Sequence, residues 1–321
     1  MAVAPVFDRD RLGRYQIERL LGRGAMGAVV LGRDTESGRW AAIKTLSLTD
    51  EFSSDELNEA RQRFFREVNA ARRLQHPDIV AVYDAGEDGG LAYIAMEYIA
   101  GHDLQRHTQS GQWLPLSLVV HIGSRVANAL AHAHSQGVVH RDIKPANVMI
   151  DLAAGVVKVT DFGIARITDA CRTRTGMVLG TPTYMSPEQL SGQRVDGRTD
   201  LYSLGVMLFQ LLTGVLPHRA ESMARLMYCI VNGAAPDVRT LRPEVPPALA
   251  RVLAQALAKP PEARHPDGLQ LAAALDAVAS LWPGHPLTLP GGVPPAGTPE
   301  VDAFAATVKL SRPDPGHNSG L

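Results

Sequence analysis

The sequence predicts an α+β protein of two lobes, in which a small antiparallel sheet with one key helix is followed by a larger, mostly α-helical lobe. Apolar and polar residues alternate from Tyr15, and two apolar runs around Val30 and Ile43 are separated by a glycine turn. This is the pattern of neighbouring antiparallel strands. After Gly101 the apolar residues recur at helical spacing instead. The change of period places the boundary between the lobes near residues 97–103.

The first lobe is expected to hold one helix among its strands. A capping-box pattern at Ser53 and Glu56 precedes apolar residues at helical spacing, which predicts a helix that crosses the sheet. Strands are expected again over residues 79–83 and 91–98, with the glycine cluster at residues 86–90 as their turn.

The second lobe is expected to consist mainly of helices. Leu118, Ile122, Val126 and Ala133 share one helical face, and Gly137 supplies a stop signal. Further helices are predicted over residues 200–213, 222–231, 247–258 and 268–281.

The chain is expected to divide into three parts. Residues 1–11 form an N-terminal extension, and residues 12–282 form the folded domain, with lobes at about residues 12–98 and 99–282. From residue 283 to residue 321 prolines and glycines accumulate without periodicity, which predicts a disordered tail.

Composition excludes several functional classes. The 321 residues carry a net charge of -1, so no overall positive field favours nucleic acid or anionic lipid. Two cysteines form neither a disulfide framework nor a CxxC metal pair, which fits a reducing compartment. The most apolar stretch, residues 201–217, is interrupted by polar residues and predicts a buried helix rather than a membrane span. We therefore expect a cytoplasmic protein without a nucleic-acid or membrane partner.

Three glycines, Gly22, Gly24 and Gly27, lie between two predicted strands. Glycines let a backbone close over a triphosphate and present N–H groups to it. A dinucleotide-binding fingerprint would lead into a helix instead of a strand. By itself the pattern fits an ordinary hairpin turn equally well, so nucleotide binding needs support from other residues.

Lys44 ends an apolar run in a predicted strand, where loss of water around its ammonium group demands an anionic partner. Glu67, on the following helix, is a candidate for that partner. Either residue alone would be an ordinary surface charge. The distance of Lys44 downstream of the glycines favours a position beneath the same phosphates.

A dense polar string at residues 140–147 lies between a helix stop and an apolar strand. Phosphoryl transfer needs an acceptor for the substrate proton, a cation near the transferred group and oxygen ligands for Mg²⁺. Asp142, Lys144 and Asn147 supply these three functions. Asp161, in an Asp-Phe-Gly sequence, is a second candidate metal ligand.

These motifs, in this order and spacing, resemble the eukaryotic-type (Hanks-type) protein kinase family, and most closely its bacterial serine/threonine members. The resemblance covers roughly residues 12–281 and includes Ser186-Pro-Glu188. It implies the bilobal protein-kinase fold and the use of ATP with Mg²⁺, with Mn²⁺ as an alternative ion.

The resemblance also assigns roles to individual residues. It implies that Lys44 holds the α- and β-phosphates and pairs with Glu67, while Asp142 orients and deprotonates the acceptor and Lys144 contacts the γ-phosphate. The implied metal ligands are Asn147 and Asp161. The other implied ATP-binding positions are Leu21, Gly22, Gly24, Gly27, Val29, Ala42, Glu97, Ile99 and Asp103, with the adenine at the backbone of the hinge and Asp103 near the ribose.

Two features favour a protein serine or threonine as the acceptor. Small-molecule kinases of similar fold generally lack a lysine two residues after the catalytic aspartate, and they lack the segment found here at residues 180–188. In serine/threonine kinases Thr181 and Lys144 contact that aspartate, whereas tyrosine kinases differ at both places. We therefore expect protein substrates, with tyrosine specificity as a minor alternative.

Regulation is suggested by Arg141, which precedes Asp142 and favours an anionic partner such as a phosphothreonine. Our hypothesis is that Thr173 and Thr175 are autophosphorylated and order the segment that contains them. The alternative is that both are solvated loop residues.

Other functions stay open beside an active kinase. A pseudokinase scaffold would usually have lost Lys44, Asp142 or Asp161, and all three are present. Phosphorylated Thr307 in the tail is a candidate site for a phosphothreonine-reading partner, and a homodimer is a further expectation from the family.

Overall fold

The computed structural model describes residues 9–24, 27–47, 57–109, 113–162 and 182–280. In the first lobe it contains six strands and one helix within these residues. They are β1 Arg11–Leu12, β2 Tyr15–Gly24, β3 Gly27–Asp34, β4 Trp40–Ser47, α1 Leu57–Ala71, β5 Val82–Asp88 and β6 Leu91–Glu97.

The six strands form one antiparallel sheet in the order β1-β2-β3-β4-β6-β5. Strand alternation divides the apolar residues between its faces. Ile43 of β4 packs with Tyr15 and Tyr93 on one side, whereas its neighbour Ala42 belongs to a separate apolar cluster. Helix α1 buries Phe64 against the sheet, as its helical spacing predicts.

The chain between α1 and the sheet differs from the prediction. A strand was expected over residues 79–83, but β5 begins only at Val82. Ile79 instead forms a parallel bridge to Val159 of the second lobe, and the Val80 N–H donates to the Val159 carbonyl at 2.9 Å. The backbone of this connection therefore pairs across the lobes, and it tethers them.

Gly86 was expected in a turn, and the structure places it inside β5. The turn itself lies at Gly89 and Gly90, which have φ values of 56° and 79°. A Cβ atom on Gly86 would lie 2.6 Å from the hydroxyl oxygen of Tyr93 on the neighbouring strand. The glycine is required by this cross-strand ring, because a side chain there would collide with it.

The second lobe is mostly helical, as predicted. Its described elements are β7 His102–Asp103, α2 Leu116–Ser135, β8 Val148–Asp151, β9 Val156–Val159, α3 Pro187–Leu190, α4 Gly197–Thr213, α5 Met223–Asn232, α6 Pro247–Ala256 and α7 Gly268–Ala279. The three short strands form a sheet in the order β7-β8-β9.

Helix α4 lies at the centre of this lobe, packed against α2, α6 and α7. Nearly all of its side chains are buried, which confirms that the most apolar stretch of the sequence is a core helix. Asp196 caps its first turn, and Gly214 ends it in the left-handed conformation with φ 74°. Within the described residues, every helix is too short or too polar to cross a bilayer.

Lys259, a half-buried lysine that follows α6, contacts α5 and the loop that precedes α5. Lys259 Nζ donates to the Ile230 carbonyl at 2.6 Å and lies 2.9 Å from Nε2 of His218. Burial, followed by the nearby positive charge of Arg264, lowers the pKa of Lys259 to about 8. Burial, followed by the charge of Lys259, lowers the pKa of His218 to about 4. His218 is therefore a neutral acceptor at pH 7.

Acidification is expected to destabilise the protein partly through His218. Its pKa falls from an ordinary value of 6.5 to about 4 on folding, so the unfolded chain binds the extra proton between these values. Stability is therefore lost as the pH falls through that window. Between pH 7 and pH 5 we expect the wild type to lose about 2 kcal/mol more than His218→Gln, which keeps an acceptor for Lys259. Urea unfolding of both proteins at the two pH values measures this difference, and equal losses would contradict it.

Candidate active site

The polar string at residues 140–147 forms a loop between α2 and β8, and buried groups hold its first residues. His140 is fully buried, lies 2.7 Å from the Thr160 carbonyl through Nε2, and contacts the Phe162 ring edge-on at 4.7 Å. The Asp200 carboxylate of α4 accepts the N–H groups of His140 and Arg141 at 2.8 and 2.7 Å. His140 is therefore a packed structural residue, and Asp200 braces the loop.

Asp142, Lys144 and Asn147 meet at the end of this loop. Lys144 Nζ donates to Asp142 Oδ2 at 2.8 Å, and Asn147 Nδ2 donates to the same oxygen at 3.1 Å. Asn147 Nδ2 also donates to the Asp142 backbone carbonyl at 2.7 Å. Asp142 remains about 43% exposed, so its carboxylate is oriented by two donors yet open to a substrate.

Lys44 finds its anionic partner in Asp161. Lys44 Nζ lies 2.8 Å from Asp161 Oδ2, across the gap between the lobes. Burial disfavours the charged form of Asp161, but the ammonium group of Lys44 outweighs this and lowers the pKa of the carboxyl. Glu67 is half-buried on α1, and its pairing with Lys44 stays a prediction.

The glycine pattern forms the tip of the β2–β3 hairpin. Gly22 pairs with Val29, and Gly24 pairs with Gly27. Gly27 has φ 149°, and a Cβ atom there would lie 2.0 Å from the Thr45 carbonyl oxygen. No other residue fits this close approach, which holds the hairpin against β4, the strand that carries Lys44.

A cluster of apolar side chains, called the apolar slot below, brings together four of the predicted ATP-binding residues, Leu21, Val29, Ala42 and Ile99. Met96 joins them. The residues that sequence analysis missed are Leu31, Val80, Tyr98, Met149 and Val156. Met149 follows the catalytic loop and lies on β8 of the second lobe. The alternation of side chains along this strand could have predicted that Met149 faces the apolar slot.

Two acidic residues border the apolar slot, and the carboxylate of each accepts hydrogen bonds from other groups of the protein. Glu97 Oε2 accepts from Lys158 Nζ at 2.7 Å and from the Ala81 N–H at 3.2 Å, so its side chain is occupied. Asp103 Oδ1 accepts from the Gln105 N–H at 3.0 Å. Burial raises the pKa of Asp103 to about 6, although the backbone N–H groups that it accepts from oppose the shift.

The groups present fit a nucleoside triphosphate with a divalent cation. The amide nitrogen of Asn147 is committed to Asp142, which leaves the amide oxygen as a ligand, and Asp161 is kept ionised by Lys44. Among the described residues no cluster of three or more His, Cys, Asp or Glu could hold a metal ion alone. One carboxylate and one amide, completed by phosphate oxygens, is a donor set that suits Mg²⁺.

The segment after the site is braced by a buried ion pair. Arg264 donates to both carboxylate oxygens of Glu188 at 2.7 Å, and Thr199 Oγ1 donates to Glu188 Oε1 at 2.7 Å. Burial disfavours the charged Glu188, but these hydrogen bonds together lower its pKa. The ion pair of Glu188 with Arg264 fixes α3 to the core.

Thr173 and Thr175, the expected phosphorylation sites, lie outside the described residues. Thr181 lies outside them as well, so its contact with Asp142 stays a prediction.

A family model described as "Protein kinase domain" matches residues 15–267. Among curated proteins, the serine/threonine-protein kinase pkn3 of Myxococcus xanthus is 43% identical over 279 residues, which cover 83% of this chain and 50% of the relative. The serine/threonine-protein kinase PrkC of Bacillus subtilis is 39% identical over 254 residues, which cover 79% of this chain and 38% of the relative. The chain thus spans half or less of the length of these two relatives.

Among solved structures, the PknI kinase domain of Mycobacterium tuberculosis aligns with a TM-score of 0.66 and 32% sequence identity. The alignment covers 86% of this chain and 99% of that domain. The alignment therefore extends over nearly the whole of that kinase domain.

Proposed function

This chain belongs to the protein kinase domain family, and on that premise we propose that it is an active serine/threonine kinase. It transfers the γ-phosphoryl group of ATP to hydroxyls of protein substrates. The observation that carries the proposal is the arrangement of Lys144 and Asn147 around the Asp142 carboxylate, with both donors on one oxygen and the side chain open to solvent. A pseudokinase scaffold would not need this oriented carboxylate.

Asp142 acts as the base in this proposal. Its carboxylate accepts the proton of the substrate hydroxyl as the oxygen attacks, and the hydrogen bonds from Lys144 and Asn147 keep it in one orientation. Lys144 also places a positive charge beside the position where negative charge develops during transfer. A lysine at this position supports serine or threonine as the acceptor.

We propose that Asn147 and Asp161 hold Mg²⁺, with Mn²⁺ as an alternative ion. When bound, the ion neutralises charge on the phosphate oxygens. Lys44 keeps Asp161 ionised. In this proposal Lys44 also holds the α- and β-phosphates. The hairpin of Gly22, Gly24 and Gly27 lies above them and presents its backbone N–H groups to the phosphates.

The adenine ring is proposed to occupy the apolar slot. The side chains of Leu21, Val29, Ala42 and Ile99 supply its walls. Because the Glu97 side chain is occupied by Lys158, only the backbone from residue 97 to residue 99 is left to hydrogen-bond the base. Asp103 is proposed to lie near the ribose.

We propose that activity depends on phosphorylation of Thr173 and Thr175. Support comes from Arg141, whose Nε atom is buried without a hydrogen-bond partner in the part of the chain that the structure describes. A guanidinium nitrogen that is buried in this way favours an anionic partner such as a phosphate group.

Incubation of the protein with Mg·ATP, followed by phosphosite mass spectrometry, tests this proposal. We expect phosphate on Thr173 or Thr175 of the wild type and none on Asp142→Asn, because transfer requires the base. A Thr173→Ala/Thr175→Ala variant is expected to lose at least about 10-fold in kcat, since the activating phosphate is absent. Absence of both modifications in active protein, or full activity of the double variant, would overturn the regulatory part.

The partners and compartment are proposals that extend beyond the site. Protein substrates with serine or threonine acceptors follow from the proposed reaction. We also propose cytoplasmic localisation, a homodimer and a phosphothreonine-reading partner for Thr307. Size-exclusion chromatography and pulldowns with phosphorylated and unphosphorylated tail peptides test the last two. A monomer at all concentrations, or equal retention by both peptides, would contradict them.

A further inference from the structure

Gln189 links the catalytic loop to the N-cap of α3 through the two ends of its side-chain amide. It lies in α3, and its Nε2 donates to the Arg141 carbonyl oxygen at 2.9 Å. Its Oε1 accepts the Ser186 N–H at 3.0 Å, while its own N–H donates to Ser186 Oγ at 3.3 Å. The side chain therefore closes the capping box of α3 and reaches the loop in the same orientation.

The carbonyl that Gln189 holds belongs to a strained backbone. Arg141 has φ 68°, in the left-handed region that residues other than glycine rarely adopt. The next peptide N–H, that of Asp142, donates to His140 Nδ1 at 3.2 Å. The peptide unit between Arg141 and Asp142 is thus held at its nitrogen by His140 and at its oxygen by Gln189.

The other side of this contact is rigid. Ser186 is fully buried, and Glu188, beside Gln189, makes the buried ion pair with Arg264. Gln189 therefore transmits the position of α3 to the catalytic loop. Without this donor, the strained peptide between Arg141 and Asp142 would be held at its nitrogen alone, by His140.

We propose that Gln189 is a positioning residue for phosphoryl transfer. It fixes the peptide unit that precedes Asp142 and so couples α3 to the orientation of the base. The inference rests on the proposed kinase function. We expect loss of Gln189 to lower the rate of the transfer step and to leave ATP binding unchanged, because the contacts of Gln189 lead to Asp142 and not to the apolar slot.

The test compares Gln189→Glu with Gln193→Glu. Glutamate keeps an oxygen for the Ser186 N–H and suits this capping-box position, but its carboxylate cannot donate to the Arg141 carbonyl. Gln193 is exposed four residues away and supplies the same change of charge. Each protein is first phosphorylated by a trace of tagged wild type, which is then removed, so that differences in autophosphorylation do not enter the comparison.

For Gln189→Glu we expect kcat to fall about 10- to 100-fold, the size of effect produced by a small misplacement of a catalytic group. KM for ATP and the melting temperature should stay close to those of the wild type, and Gln193→Glu should keep wild-type kcat. Gln189→Met, of similar length and without charge or donor, should show the same loss.

Wild-type kcat in Gln189→Glu would overturn the inference while leaving the kinase function intact. So would a loss of kcat that is matched by a lower melting temperature, or a failure of both Gln189 variants to fold, since Gln189 would then be only structural. Absence of transfer by the wild type itself would instead overturn the proposed function.

Discussion

Asp142→Asn is expected to lower kcat for phosphoryl transfer by about 10³-fold, in the middle of the range that general-base catalysis contributes. Asparagine has the same shape and keeps an oxygen for the hydrogen bonds now made by Lys144 and Asn147 at 2.8 and 3.1 Å. Its amide cannot take the proton of the substrate hydroxyl. The chemistry is therefore lost while the loop geometry is kept, and steady-state kinetics with a peptide acceptor measure the effect.

Asp267→Asn is the matched control for this prediction. Asp267 caps α7 by accepting the Gln270 N–H at 2.8 Å, and asparagine caps helices about as well as aspartate. We expect wild-type kcat in Asp267→Asn and unchanged ATP affinity in both variants. Substantial transfer by Asp142→Asn would show that another group accepts the proton.

Arg264→Met is expected to destabilise the protein by about 3–5 kcal/mol, the cost of breaking a buried ion pair from one side. Arg264 is 2% exposed, and its removal leaves the Glu188 carboxylate buried with only Thr199 as a side-chain donor. It also removes donors from the Ala258 and Lys259 carbonyls. Urea denaturation at pH 7 measures the loss.

Two comparisons isolate the buried charge as the cause. Arg198→Met removes an ion pair with Asp196 that is partly exposed, and we expect it to cost about 1 kcal/mol or less. The double variant Glu188→Gln/Arg264→Met should be more stable than the sum of the single losses implies, because no carboxylate is left unpaired. A loss in Arg264→Met as small as that in Arg198→Met would contradict the prediction.

The parts of the site that lie close together in sequence were predictable. Asp142, Lys144 and Asn147 fall within one loop, so their meeting follows from short chain connections. The helices of the second lobe were also predictable, because apolar periodicity determines which face each one buries. The core position of α4 follows from composition alone.

The errors arose where distant segments pack together. A glycine usually marks a turn, but Gly86 lies in a strand because the ring of Tyr93 crosses over it. Residues 79–80 carry strand-like side chains, yet their backbone pairs with β9 of the other lobe. In both cases the deciding contact is a tertiary one that local pattern does not contain.

The partner of Lys44 and the role of Gln189 also depend on tertiary contacts that the local sequence pattern does not contain. Sequence indicated that Lys44 needs an anion and pointed to Glu67, whereas the structure brings Lys44 against Asp161, which lies 117 positions away. Gln189 is separated from Arg141 by 48 positions, and glutamine in a four-residue helix carries no functional signal of its own. Only the folded arrangement brings its donor to the strained carbonyl.

We propose above that the site around Asp142 transfers phosphate from ATP to serine and threonine. The most direct measurement uses three acceptor peptides that differ only in carrying serine, threonine or tyrosine at one position, with γ-labelled ATP and Mg²⁺. We predict that the wild type labels the serine and threonine peptides, leaves the tyrosine peptide unlabelled, and that Asp142→Asn labels none. A folded wild type that binds ATP yet labels none of the peptides and not itself would contradict the claim and favour a scaffold.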